Sequence, residues 1–311
     1  MRVVFMGSAD IACPSLESLL SDPSVDVVGV VTQPDRPKGR QLKVSACAVR
    51  THLEGSGIPV LTPQSINTEA SLEALRALSP DLAVVMAYGQ ILKPTVLAVP
   101  RLGCINVHTS LLPLYRGAAP IQWAVANGDA ETGVTIMHMD EGMDTGDIVL
   151  QRTIPIGPAD TAGRVHDNLA DAGAALLCEA VHAIQAGNAP RVCQDESRAT
   201  YAPKLKKEDG RIDWTQSAEA IYNRVRGFNP WPCCTCAVPG ARAHTLRVLT
   251  ARLEDESGAP GEVLDVKGDG PLVACGTGAL RLLEVQPQGK RVMQGCAYVC
   301  GRSLQRGEIL G

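Results

Sequence analysis

Short apolar runs alternate along the first half of the chain with segments whose apolar residues recur at helical spacing. Residues 3–6 are continuously apolar, as a strand buried on both faces requires. Gly7-Ser8-Ala9-Asp10 then opens into residues 11–20, where the period changes to that of a helix. The same reading predicts strands over 26–32, 82–87 and 103–107, and helices over 72–78 and 121–127. A strand pair is expected over 134–139 and 148–151, flanking the loop that holds Asp144, and a long Ala- and Leu-rich helix over 162–186. Strands separated by helices give an α/β fold: a Rossmann-like, mainly parallel sheet with helices on both faces.

The pattern changes near 187–207, where Pro190, Pro203, Lys204, Lys206 and Lys207 interrupt the periodicity. One helix is predicted over 214–225. Short apolar strands follow over 246–253, 261–266, 272–274 and 279–285, separated by Gly, Pro and Asp, which fits a small β-barrel. The expected organisation is a first domain over 1–189, a basic linker over 190–207 and a second domain over 208–311. No internal repeat is visible.

Composition narrows this picture. A chain of 311 residues suits two domains, and with 3 Trp, 5 Tyr and 2 Phe its core must be mainly aliphatic. No apolar run approaches the ~18–20 residues of a membrane span, and no basic cluster leads into an apolar N-terminal segment, so a cytoplasmic protein is expected. The 11 cysteines are scattered and odd in number, as reduced thiols are. Cys233-Cys234-x-Cys236 and Cys296-x-x-x-Cys300 lack the matched two-residue spacers of zinc sites, so no metal is expected. Net charge is −4, but residues 201–311 carry 15 basic against 12 acidic side chains and the rest 14 against 21. An acidic domain joined to a mildly basic one is compatible with a localised RNA-binding face.

Candidate chemistry is concentrated between 104 and 147. Asn106 and His108 lie two apart at the end of a predicted strand, so both point one way while Ile105 and Val107 point the other. Cys104 shares the face of Asn106. Asp144 follows on the Gly-rich loop Met139-Asp140-Glu141-Gly142-Met143-Asp144-Thr145-Gly146-Asp147. An amide that donates hydrogen bonds, an imidazole that moves protons and a carboxylate that orients it suffice to transfer a carbonyl group to an amine. An Asn that turns the chain and a His that satisfies a backbone carbonyl would show the same spacing, so spacing leaves both readings open. The first strand-to-helix turn lacks Gly-x-Gly-x-x-Gly, and no phosphate-binding Gly-Lys-Ser/Thr loop occurs, which disfavours nicotinamide and ATP.

Asn106-x-His108, then Ser110-Leu111-Leu112-Pro113, then Met139-Asp140-x-Gly142-x-Asp144-Thr145-Gly146 resembles the active site of folate-dependent formyltransferases. The likeness to the methionyl-tRNA formyltransferase family runs nearly end to end, through Thr32-Gln33-Pro34-Asp35-Arg36-Pro37-Lys38-Gly39-Arg40, Arg211-Ile212-Asp213-Trp214 and Gly227-Phe228-Asn229-Pro230-Trp231-Pro232. The resemblance implies 10-formyltetrahydrofolate as donor, no metal, methionyl-initiator tRNA as acceptor and action as a monomer. It implies catalysis by Asn106, His108 and Asp144, with Ser110, Leu111, Leu112 and Pro113 contacting the folate. It also implies that the loop bearing Arg36, Lys38, Arg40 and Lys43 reaches the tRNA acceptor end, with Lys204, Lys206 and Lys207 along the same backbone and an OB-fold-like C-terminal domain. Gln41-Leu42-Lys43 departs from a denser basic run in that family. A sugar-nucleotide amine formyltransferase or a 10-formyltetrahydrofolate hydrolase would share the catalytic trio, and a non-catalytic tRNA- or folate-binding protein would not need it.

Overall fold

The computed structural model describes residues 1–38, 43–240, 243–301 and 304–311. Two compact units are interleaved along the chain. One comprises Met1–Gly117, Thr132–Pro155 and His166–Ala202, and the other Ala118–Glu131, Ile156–Val165 and Pro203–Gly311. Packing, not continuity, therefore defines the units, since two short early segments fold with the C-terminal part.

The first unit is built on seven strands: β1 (Arg2–Gly7), β2 (Asp26–Val31), β3 (Val60–Leu61), β4 (Leu82–Met86), β5 (Cys104–His108), β6 (Glu131–His138) and β7 (Ile148–Pro155). Their order across the sheet is β7-β6-β5-β4-β1-β2-β3. The pairings among β3, β2, β1, β4 and β5 are parallel, and β5 pairs β6 antiparallel. The chain thus runs outward from β1 to β3, then returns to β4 on the other side of β1. Such a reversal leaves a crevice beyond the carboxyl ends of the strands, where open α/β sheets bind ligands. Asn106 and His108 end β5 on that side, with Asn106 beside Val85 of β4.

Continuous apolar strands need cover on both faces, and the helices supply it. Leu72 and Leu75 of α2 (Glu69–Ala77) share one core with Val4, Met6, Ala83, Val85 and Cys104. On the opposite face, Gly173 of α4 (Ala162–Gln185) approaches Val107, Met86 and Val134, and Ser18 of α1 (Cys13–Leu20) donates to the Ala174 carbonyl. The intervening helix α3 (Pro120–Ala126) belongs to the second unit.

In the second unit α3 packs against α5 (Ala218–Gly227), where the Trp123 ring meets Phe228 edge-on at 5.6 Å. An antiparallel sheet follows: β8 (Cys234–Val238), β9 (His244–Glu254), β10 (Val263–Asp265), β11 (Leu272–Ala274) and β12 (Ala279–Pro287), in the order β8-β9-β12-β11-β10. Register shifts near Val248, Thr250 and Ala251 interrupt the pairing of β9 with β12, and such bulges bend a strand. Cys234 and Cys236 point into this core with Leu246, Val248 and Leu280.

The differences from expectation have local causes. The helix expected from residue 214 starts at Ala218, because Asp213 first closes a turn by accepting from the Thr215 amide and hydroxyl. Ser217 then caps the helix by accepting from the Ala220 amide. The basic loop contains a short antiparallel hairpin, Arg36–Lys38 against Lys43–Ser45. No helix among the described residues is long and apolar enough to cross a membrane.

Candidate active site

The end of β5 brings the three expected residues together. His108 is buried, and its Nδ1 lies 3.7 Å from Asp144 Oδ2. That is ion-pair distance, beyond a hydrogen bond. The ring is held instead by its Nε2, 3.1 Å from the Tyr115 carbonyl oxygen. Asp144 Oδ2 accepts a hydrogen bond of 2.8 Å from the Gly117 amide, which fixes the carboxylate from the other side. The Asp144 carboxylate therefore faces Nδ1 of the imidazole without a hydrogen bond, while a backbone carbonyl holds Nε2.

Asp144 and Tyr115 both adopt left-handed backbone, with φ of 56° and 60°. A non-glycine residue there costs on the order of 1 kcal/mol or more and persists only where its surroundings impose it. The Asp144 turn is imposed from within by Asp140, whose carboxylate accepts from the Gly142 amide and the Thr145 hydroxyl. Gly146 completes it, since a Cβ there would collide with the His138 carbonyl oxygen.

Asn106 is half-buried, and among the described residues its side-chain amide has no hydrogen-bond partner. It lines a cavity of about 330 Å³ with Gln90, Ile91, Leu92, Met137, Met139 and the 140–144 loop. Ile91, Leu92, Met137, Met139 and Met143 give it an apolar wall, and Gln90, Asn106, Asp140, Glu141 and Asp144 supply the polar groups, the mixture that small-molecule sites use. Gln90 is spent on the fold, accepting from the Ile66 amide and donating to the Pro63 carbonyl. Cys104 takes no part. It is buried, its Sγ is 3.8 Å from the Leu97 carbonyl oxygen, and desolvation pushes the thiol up to about 12.

Ser110, Leu111, Leu112 and Pro113 do not line this cavity. The Ser110 hydroxyl donates to the Leu114 carbonyl at 2.6 Å, and Thr135 ties the turn to β6 through the Ser110 carbonyl and the Leu112 amide. The turn instead leads into Tyr115, whose carbonyl holds His108. The wall formed by Gln90, Ile91 and Leu92 carries no motif. It could have been found from the rule that ligands bind past the carboxyl ends of strands, since it directly follows β4.

The sequence profile of the formyl transferase family matches residues 1–181, and that of the formyl transferase C-terminal domain matches residues 204–303. The methionyl-tRNA formyltransferase of Citrifermentans bemidjiense is 47% identical over the whole chain, covering 96% of that protein. The one from Moorella thermoacetica is also 47% identical, over 100% of this chain and 99% of that protein. The chain belongs to the methionyl-tRNA formyltransferase family. Its fold is also that of more distant proteins. WlaRD, a sugar 3N-formyl transferase crystallised with 5-N-formyl-THF, superposes with a TM-score of 0.66 at 18% identity, over 94% of this chain and 99% of that one. HypX from Aquifex aeolicus in complex with tetrahydrofolic acid gives 0.63 at 19%, over 98% of this chain and 48% of that one.

For a methionyl-tRNA formyltransferase, the residues expected to meet tRNA are distributed as follows. Arg36, Lys38 and Lys43 lie on the short hairpin of the first unit. Arg40 lies outside the described residues. Lys204, Lys206 and Lys207 are exposed at the start of the second unit's C-terminal segment. Eleven thiols are free, and among the described residues no cluster of three His, Cys, Asp or Glu side chains could hold a metal ion.

Proposed function

We propose that the chain transfers the formyl group of 10-formyltetrahydrofolate to the α-amino group of methionyl-initiator tRNA, giving N-formylmethionyl-tRNA for translation initiation. The observation that carries this reading is the Asn106 amide, unpartnered among the described residues and lining a cavity with Asp144, which in turn faces His108, in a chain related end to end to methionyl-tRNA formyltransferases.

An α-amino group ordinarily titrates near ~7.7–8, so a neutral fraction exists at pH 7. Its nitrogen attacks the formyl carbon, and the carbonyl oxygen becomes an oxyanion that Asn106 Nδ2 stabilises by hydrogen bonding. The proton shed by the attacking nitrogen passes to His108 or solvent, and N10 of the folate takes a proton as its bond to carbon breaks. Asp144 stabilises positive charge on the imidazole through the proton transfer. No covalent enzyme intermediate is needed.

The donor's ring system occupies the cavity walled by Ile91, Leu92, Met137 and Met139, and the turn of Ser110, Leu111, Leu112 and Pro113, which does not line it, serves the donor site through Tyr115, whose carbonyl holds His108. Arg36, Lys38, Arg40, Lys43, Lys204, Lys206 and Lys207 contact tRNA phosphates, so affinity falls steeply with salt. The enzyme acts as a cytoplasmic monomer, with residues 1–189 as catalytic domain, 190–207 as basic linker and 208–311 as tRNA-binding domain.

A formyl-transfer assay comparing methionyl-initiator tRNA, methionyl-elongator tRNA and free methionine tests the reading. Initiator-selective formylation is expected. Formate release without an acceptor would establish a hydrolase. Indifference to all three acceptors would favour a sugar-nucleotide amine substrate.

A further inference from the structure

Arg116 is among the largest fully buried side chains of the molecule, and its guanidinium points at neither the cavity nor His108. Its Nη1 and Nη2 donate to the two carboxylate oxygens of Glu196 at 2.8 and 2.6 Å. Its Nε and Nη2 also donate to Gln194 Oε1 at 3.2 and 2.8 Å. Gln194 in turn spends both amide protons on the catalytic turn. Its Nε2 donates to the Asp144 carbonyl and to the Gly146 carbonyl, each at 2.8 Å.

Two donors and two acceptor sites exhaust what a glutamine amide can offer. The arrangement therefore fixes the amide in one sense. Reversed, it would set its NH2 against the guanidinium and its oxygen against two carbonyl oxygens. The turn that it grips is the one whose Asp144 has φ of 56°, and both Gln194 bonds fall just after the Asp144 side chain, on the carbonyls of 144 and 146. Gly117, next to Arg116, donates its amide to Asp144 Oδ2. One buried arginine thus anchors the amide that holds the Asp144 backbone, and its chain neighbour Gly117 holds the carboxylate.

We infer that Gln194, fixed by Arg116 and Glu196, is a positioning residue of the formyl-transfer reaction: it clamps the Asp144 turn so that the carboxylate faces His108. The inference rests on the proposed function for its kinetic consequence and on geometry alone for its structural one. Gln194→Glu is the sharpest variant. It keeps size and a partner for Arg116, but turns an oxygen toward the two carbonyl oxygens that now accept hydrogen bonds.

The test is residue-resolved amide hydrogen exchange on the full chain, followed by kinetics in two backgrounds. Exchange at the Gly117 amide, which reports the Asp144 carboxylate, should rise at least about tenfold in Gln194→Glu. Exchange at the Arg116 amide, bonded to the Thr200 carbonyl at 2.8 Å, should stay as it is. Turnover should fall about 10- to 100-fold with smaller changes in KM, as for other groups that orient a reacting residue. In an Asp144→Asn background the same substitution should cost less than about threefold, because both changes remove one function. Gln194→Met, which keeps length and removes the polar group, carries the test if the glutamate variant does not fold. An unchanged Gly117 amide, or Gly117 and Arg116 amides loosening together, would overturn the inference, as would equal losses of turnover in both backgrounds. Exchange needs no activity, so a parent protein that transfers no formyl group would fail the functional reading and leave this one standing or falling separately.

Discussion

Each unit buries an arginine against a glutamate, and the two pairs do different work. Arg116 in the first unit and Arg281 in the second are 1% and 9% exposed, and each meets its carboxylate through two nitrogens. Arg281 gives its remaining donor, Nη1, to the Lys267 and Gly270 carbonyls, so it closes the loop between β10 and β11. Arg116 gives two further donors to Gln194 and, through it, holds the turn of Asp144. Glu254 is largely enclosed, whereas the Glu196 side chain is 66% exposed. A buried arginine pair is thus no sign of function by itself; what its spare donors hold decides.

That contrast can be broken by removing each carboxylate in turn. The Arg281 hydrogen bond holds Glu254 at about 2, well below the usual carboxylate value, with Arg252 adding to it. A depressed folded-state pKa contributes stability that is complete above the unfolded-state value and lost as pH falls through the folded one. Glu254→Gln should therefore cost the second unit about 2 kcal/mol at pH 7. The deficit should shrink between pH 5 and about pH 2. Denaturant midpoints at several pH values would show it, and turnover per folded molecule should not change.

The smaller effect belongs to the first unit. Glu196 is also held below the usual range by its hydrogen bond to Arg116, but its oxygens already meet water. Glu196→Gln should shift the unfolding midpoint less than Glu254→Gln does, and should lower turnover by about threefold through a looser Gln194. A larger stability loss at 196 than at 254, with turnover untouched, would erase the distinction between the pairs.

Much of this arrangement was legible in the sequence. Strands β1, β4 and β5 announce themselves as short apolar runs because both faces of the sheet are covered. Asn106 and His108 could be placed on one face by strand alternation, and their family motif led to Asp144. The supports were not legible, and the reasons are physical. The Tyr115 carbonyl that orients His108 is a backbone group, and backbone groups leave no residue signature. Gln194 lies 78 residues from Arg116 and 50 from Asp144 in sequence, and a lone glutamine in a loop carries no periodicity. The cavity wall at Ile91 and Leu92 is apolar and unpatterned, so only the topology of the sheet points to it. The loop of Arg36 and Lys38 reads as irregular because Pro34, Pro37 and Gly39 mask a hairpin of three residues a side.

The central claim is that the free Asn106 amide stabilises the oxyanion of formyl transfer to methionyl-initiator tRNA. Single-turnover formylation by Asn106→Asp, run beside a tRNA-binding titration on the same preparation, addresses it most directly. A rate loss of at least about 10²–10³-fold is predicted, because a donor is replaced by a negative charge, with tRNA affinity largely kept. Undiminished formylation, or parallel loss of formylation and tRNA binding, would contradict the claim and make Asn106 a structural residue.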